Sequence, residues 1–192
     1  MLAKNHNFLY NIVVDSCQEK DLLRLHYRTV RKNIENREQK DNQIATTVLP
    51  MILESPLANV FLYQSLDGEV ATQGLVERLG GKKNLFVPKV VDGVMYLQQW
   101  CEAKEKLHSC VPDCIAIVPL IAFDDTLCRL GFGGGFYDKY LASNSGCETI
   151  GLAYDEQHCA KLPRQAHDVC LQKIVTPSKV WSLPKEKERE KL

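Results

Sequence analysis

Arg129-Leu-Gly-Phe-Gly-Gly-Gly-Phe-Tyr-Asp138 follows an apolar run, Ile115–Phe123, and leads into Lys139-Tyr-Leu-Ala142, which reads as helix. Gly131, Gly133, Gly134 and Gly135 put four glycines within five positions. Glycine lacks a Cβ, so such a loop can take positive φ and close its backbone N–H groups around one object. Between a strand and a helix N-terminus, the object those groups suit is an anion, most often phosphate. Arg129 adds a planar, permanently charged fork matched to phosphate oxygens. Asp138 would repel a bound phosphate unless a cation lay between them, and a Mg²⁺ shared with a nucleotide polyphosphate meets that need. A glycine turn that merely joins a strand to a helix usually needs one glycine, not four. The spacing is not that of a P-loop, which requires a Lys-Ser or Lys-Thr pair. Nor is it the dinucleotide fingerprint, because Phe136 stands at the third glycine position.

The same strand–loop–helix unit sets the reading of the rest of the chain. Val60–Tyr63, Asn84–Pro88, Gly93–Leu97, Thr149–Tyr154 and Lys173–Thr176 read as short buried strands. Helices are expected over Glu19–Asn36, over Asp41–Glu54 with Pro50 breaking or kinking it late, and over Val70–Leu79 closed by Gly80-Gly81. Strands alternating with helices predict an α/β fold: one mostly parallel sheet with helices on both faces, a Rossmann-like three-layer sandwich. The chain divides into a leader or extra strand over 1–18, a single domain over 19–180 and a charged tail over 181–192. Cys101–Leu107 could supply one or two helical turns ahead of the central strand.

In the first helix, Leu22, Leu23, Tyr27, Val30 and Ile34 trace an apolar stripe, with Lys20, Arg24, Arg28, Arg31 and Lys32 on and around the other side. A charged face is usually just solvated, but Lys20 and Arg24, four apart, present two cations together. Glu69 falls outside a strand C-terminus, where ligands of open α/β sheets collect. Taken alone, such a residue is more often a first-turn acid complementing a helix dipole. His167-Asp168 lies in an irregular stretch, where such a pair is more often a hydrogen-bonded loop element than a catalytic one.

Over 192 residues, apolar content is 45%, charged content 25% and formal net charge zero. These values suit a soluble globular protein and supply no overall basic field for nucleic acid. The apolar runs are too short to span a membrane. Phe8–Val14 lacks a well-formed cleavage site behind it, so no secretory signal is expected. Eight cysteines occur without a Cys-x-x-Cys, and His108, Cys110 and Cys114 make only a weak zinc signal. The expectation is reduced thiols in a cytoplasmic protein.

The string RLGFGGGFYDKYL resembles the signature of the 5-formyltetrahydrofolate cyclo-ligase (5,10-methenyltetrahydrofolate synthetase) family, commonly R-L-G-x-G-x-G-Y-Y-D-x-Y-L. Further blocks resemble the family in the same order. These are Lys20…Arg24, Tyr63…Glu69-Val70, and Ile150-Gly-Leu-Ala-Tyr154 followed by Gln157, Leu162-Pro163, His167-Asp168 and Ile174-Val-Thr176. The likeness spans roughly Glu19 to Thr176. It implies ATP binding by Lys20, Arg24, Arg129, Leu130, Gly131, Phe132, Gly133, Gly134, Gly135, Phe136 and Tyr137. It further implies folate contacts from Glu69 and from Phe132 through Phe136, and Mg²⁺ held by Asp138 and Asp168. The implied reaction is 5-formyltetrahydrofolate + ATP → 5,10-methenyltetrahydrofolate + ADP + phosphate, with no covalent protein intermediate. The implied partners are the small molecules folate and ATP, with no nucleic acid or membrane, and the chain is expected to be a monomer or weak dimer. The alternative is a divergent member that binds nucleotide or folate as a module or acts on another substrate. The chain departs from the family pattern at Leu127 and Phe136, where glycine and tyrosine are usual. It also lacks a Gly-x-x-Glu-Pro segment between Gln98 and Pro112.

Overall fold

In the computed structural model, which describes residues 16–100 and 106–183, the short apolar runs line up side by side in one sheet. Helices α1 (Ser16–Lys32) and α2 (Arg37–Glu54) come first, followed by strand β1 (Asn59–Leu62) and helix α3 (Gln73–Leu79). Strands β2 (Asn84–Val91), β3 (Val94–Gln99), β4 (Leu107–His108) and β5 (Cys114–Val118) follow. A small ribbon of β6 (Ala122–Phe123) and β7 (Arg129–Leu130) precedes helix α4 (Phe136–Ser143). Strands β8 (Glu148–Leu152), β9 (Lys173–Val175) and β10 (Val180–Ser182) complete the described fold. The sheet order is β10-β9-β8-β5-β1-β2-β3-β4. Its five middle strands, β9 to β2, are parallel, and β10, β3 and β4 add antiparallel edges.

Alternation along each strand sends neighbouring side chains to opposite faces, and each face finds a helical layer. Val60, Leu62, Ile115 and Ile117 pack with Ile44, Val48 and Ile52 of α2 and Leu75 and Leu79 of α3. Phe61, Ala116 and Val118 face the other way, onto Tyr140 and Leu141 of α4. The expected mostly parallel three-layer α/β architecture is therefore present. Helix α1 belongs to neither layer. Its Tyr27 packs on Ile121, Ala122 and Leu130, beyond the C-terminal end of β5, so the helix lies where an open parallel sheet gathers its ligands.

Several local expectations change. The first helix stops at Lys32, and Asn36 turns the chain with φ 53, so that α2 starts at Arg37. Pro50 does not break α2, which runs on to Glu54 because Val48 and Ile52 on either side of it are fully buried. Leu22 does not belong to an inward stripe: it is 62% exposed, while Lys20, Tyr27 and Arg31 are buried. The strands at 84–91 and 94–99 form an antiparallel hairpin, since Asp92 (φ 49) and Gly93 (φ 75) make a two-residue turn with both φ positive. Of the stretch read as helical turns, 101–105 lies outside the described residues and Leu107–His108 is strand. The sheet continues to Ser182, into the span assigned to the tail.

The cysteines also differ from expectation. Cys114 is paired with Cys147 and Cys128 with Cys170, whereas Cys17, Cys110 and Cys159 are free. Topology explains both pairs. Ile115 and Glu148 are register partners, which brings the residues just before them to a Cα separation of 4.8 Å. Leu171 N–H donates to Leu127 O at 2.9 Å and sets Cys128 beside Cys170.

Gly151, in β8, is where the fold tolerates no side chain. A Cβ there would lie 2.7 Å from Leu171 Cδ1, 2.8 Å from Leu120 Cδ2 and 3.2 Å from Ile174 Cγ1. Gly151→Val is expected to lower the unfolding free energy by about 1–3 kcal/mol in urea denaturation. An unchanged midpoint would show that the three side chains yield freely.

Candidate active site

The glycine loop leaves β7 after Leu130 and enters α4 at Phe136. Gly133 (φ 108) and Gly135 (φ 64) hold backbone conformations that side chains resist, and Gly135 is the residue from which α4 starts. Gly134 is required for a different reason: a Cβ there would fall 2.5 Å from the Phe136 ring. Facing the loop, Arg24 Nε donates to Gly131 O at 2.9 Å, and its guanidinium carbon would lie 3.6 Å from a Cβ at Gly133. The loop and α1 thus form opposite walls of a cavity of about 570 Å³, with Lys20, Arg24, Arg129, Asp138 and Asp168 among its lining residues.

Each buried cation on these walls has an acidic partner. Lys20 is 7% exposed, and its Nζ donates to Asp168 Oδ2 at 2.7 Å and to Gln165 Oε1 at 3.1 Å. Burial disfavours the Asp168 carboxylate, but the Lys20 ammonium and the Gln165 N–H outweigh it and hold this carboxyl below the usual range. Arg129 Nη2 donates to Asp138 Oδ1 at 3.0 Å, while Nη1 donates to Val169 O. Val169 N–H returns a bond to Asp138 Oδ1 at 3.1 Å. Burial pulls the Arg129 guanidinium down from its ordinary value, against the pull of Asp138. Arg24 is clamped by Asp21 Oδ1 at 2.6 Å.

A second group of polar side chains sits behind the loop. Glu69 is 9% exposed, and its Oε2 accepts the Leu66 N–H at 2.8 Å. Its turn is held by Tyr63 Oη to Val70 O at 2.9 Å and by Thr72 Oγ1 to Tyr63 O at 2.7 Å. Arg31, which hydrophobic patterning passed over as one of a charged face, is 3% exposed and joins this turn to the glycine loop. Its Nε donates to Gly68 O at 2.7 Å, and its guanidinium lies 5.2 Å from the Phe132 ring centroid. The available signal was spacing, since Lys20, Arg24, Tyr27 and Arg31 fall on one helical face. The family resemblance groups Tyr137 with the ATP loop. Its ring stacks on Phe61 at 6.0 Å, and its hydroxyl is buried with no hydrogen-bond partner among the described residues. Burial and the Glu69 carboxylate drive the Tyr137 phenol far above its ordinary value, so it is a permanent donor.

Of the residues named from sequence, the fold gathers Lys20, Arg24, Arg129–Phe132, Gly133, Gly135, Asp138 and Asp168 around one cavity. Gly134, Phe136 and Tyr137 line a smaller recess of about 110 Å³, shared with Arg129 and Asp138. Glu69 lines neither and is held in the turn at Leu66. No group of three or more His, Cys, Asp or Glu able to hold a metal occurs among the described residues. No helix among them is long and apolar enough to cross a membrane.

A glycine-rich loop and paired cations beyond the C-terminal edge of a parallel sheet define an α/β protein whose cavity suits an anionic ligand. Known proteins narrow this class. Residues 16–177 match the 5-formyltetrahydrofolate cyclo-ligase family. The 5-formyltetrahydrofolate cyclo-ligase of Escherichia coli (strain K12) is 33% identical over 171 residues, covering 77% of this chain and 93% of that one. The Haemophilus influenzae protein of the same name is 31% identical over 179 residues, covering 80% and 95%. Among solved structures, the 5,10-methenyltetrahydrofolate synthetase of Aquifex aeolicus superposes with a TM-score of 0.68 at 27% identity, over 90% of this chain and 99% of that one. That of Mycoplasma pneumoniae gives a TM-score of 0.71 at 23% identity, over 83% and 99%, a likeness of fold. The chain belongs to the 5-formyltetrahydrofolate cyclo-ligase family.

The Glu69 environment has a measurable consequence. Burial raises its carboxyl above the ordinary value, and the Leu66 N–H and Arg31 only partly offset this. A raised carboxyl lends stability that is complete below the unfolded-state value and is lost as pH climbs from there through the raised folded-state value. Glu69→Gln is therefore expected to melt at a higher temperature than the parent at pH 8, with the gap closing below pH ~4. Equal melting temperatures at both pH values would mean that Arg31 fully compensates the charge.

Proposed function

We propose that the chain converts 5-formyltetrahydrofolate to 5,10-methenyltetrahydrofolate with ATP, releasing ADP and phosphate. The observation that carries this reading is the pairing of Lys20 with Asp168 and of Arg129 with Asp138 around the glycine cradle. Cations and carboxylates stored in this way can separate onto a nucleotide, the cations turning to phosphate oxygens and the acids to Mg²⁺. Asp138 and Asp168 fit that ion as partial ligands. Asp138 Oδ2 accepts no hydrogen bond among the described residues, and Mg²⁺ characteristically takes one or two carboxylates with phosphate oxygens and water. Bound there, Mg²⁺ would neutralise polyphosphate charge.

The chemistry asks for alignment more than for a nucleophile. An amide oxygen is a poor leaving group. The formyl oxygen attacks the γ-phosphorus, and the bond to the β-bridging oxygen breaks to release ADP. N10 then attacks the activated formyl carbon and gives up its proton, the carbon–oxygen bond breaks, and phosphate leaves with the original formyl oxygen and takes up that proton. Arg129 and the loop amides hold charge on the transferring group. Glu69 meets the pterin nitrogens and fixes the folate. The buried Tyr137 hydroxyl has no hydrogen-bond partner among the described residues, which leaves its proton available to orient the formyl group.

Purified protein given 5-formyltetrahydrofolate and Mg-ATP should develop methenyl absorbance in step with ADP release. ATP affinity without any methenyl product would overturn the assignment. Asp138→Asn is expected to raise the half-saturating Mg²⁺ concentration about tenfold, the scale of one lost charge-assisted contact. An unshifted Mg²⁺ titration would remove Asp138 from the metal.

A further inference from the structure

Helix α1 carries more cations than the phosphate cavity uses. Arg28 and Lys32 continue the four-residue spacing of Lys20 and Arg24, so four cations follow one side of the helix at successive turns, about 6 Å apart. The first two are engaged by Asp168 and Asp21. Arg28 and Lys32 are exposed, and neither has a hydrogen-bond or ion-pair partner among the described residues. With Leu25, Leu66 and Phe132 they line a groove of about 310 Å³. Leu25, Arg28 and Phe132 also line the phosphate cavity, so the two spaces are continuous. Leu25 is 68% exposed, Leu66 70% and Phe132 42%. Three large apolar side chains left open beside two unpaired cations suit a flat apolar group that ends in carboxylates. Asp67, also in the lining but on the turn rather than on the helix, disfavours an anion on its own side of the groove.

The order of features along α1 decides which substrate this is. Asp168 and Lys20 mark the phosphate end, while Leu66, Asp67 and Gly68 belong to the turn that carries Glu69. A γ-phosphate must meet the formyl group between these two regions, so the nucleotide extends toward Lys20 and the folate toward Lys32. The geometry points to this groove as the site for the p-aminobenzoylglutamate half of the folate. The ring lies against Leu25, Leu66 and Phe132, and the glutamyl carboxylates reach Arg28 and Lys32. This assignment rests on the cyclo-ligase reading and adds to it the residues that select for the tail.

The test compares 5-formyltetrahydrofolate with 5-formyltetrahydropteroate, which lacks the glutamate, by dissociation constant on the full chain. The parent is expected to bind the glutamylated compound roughly tenfold more tightly, as for charge-assisted contacts at a partly wet site. Arg28→Glu combined with Lys32→Ala should bring the ratio to one or invert it, and Arg28→Lys should keep most of it. Both positions are exposed, so the variants should retain the parent's melting temperature, which is measured alongside. A ratio near one in the parent, or a ratio unmoved by the charge reversal, overturns the tail site. If the parent still forms methenyl product from both compounds in that case, the cyclo-ligase reading stands without the tail site. If it forms product from neither, both readings fall.

Discussion

A buried charge must have a partner, and that constraint organises this molecule. Lys20 and Arg129 lie nearly out of solvent, where removing one member of an ion pair leaves the other at a cost of several kcal/mol. Asp168 is 148 residues from Lys20 along the chain, and Asp138 sits one helical turn beyond the glycine loop. Each pair therefore ties a wall of the cavity to a different part of the fold. The same pairs make an anion site possible before the anion arrives. Cations gathered without their acids would repel one another and splay apart, whereas paired they stay in register, ready for the exchange of partners proposed above.

Legibility in the sequence followed the range of the interactions. The glycine loop was readable because its chemistry lies within ten consecutive residues, and the layered fold because buried strands announce themselves as short apolar runs. Arg31 escaped because patterning treats a cation as a surface residue, yet here the inward face of α1 is largely polar. The cysteine pairs depend on which strands become neighbours, and no local feature of the sequence encodes that. The partnerless hydroxyl of Tyr137 is likewise a property of the assembled site, since a tyrosine in a loop motif looks the same whether or not its hydroxyl finds a bond.

One departure from the family pattern constrains its neighbour in the glycine loop. Phe136 stands where the family pattern has tyrosine, two residues beyond Gly134. The Phe136 ring occupies the space that any side chain at 134 would need. A bulkier residue at 134 thus requires a different placement of the ring at 136, and the two positions are expected to vary together. Phe132 is similarly committed: it stacks on Arg31 and shares in both the phosphate cavity and the apolar groove.

Leu127 holds the left-handed backbone conformation, φ 59, at a position where the family pattern has glycine. A side chain in that region costs about 1–2 kcal/mol, yet this one is 1% exposed and packs into the cluster beneath α4. Glycine would relax the main chain and leave a hole among its neighbours, while leucine fills the space and strains the main chain. None of the twenty residues satisfies both demands at once. Passage between the two states in a lineage therefore runs through compensating enlargement or trimming of the surrounding core, and a single exchange at 127 leaves one of the two debts outstanding.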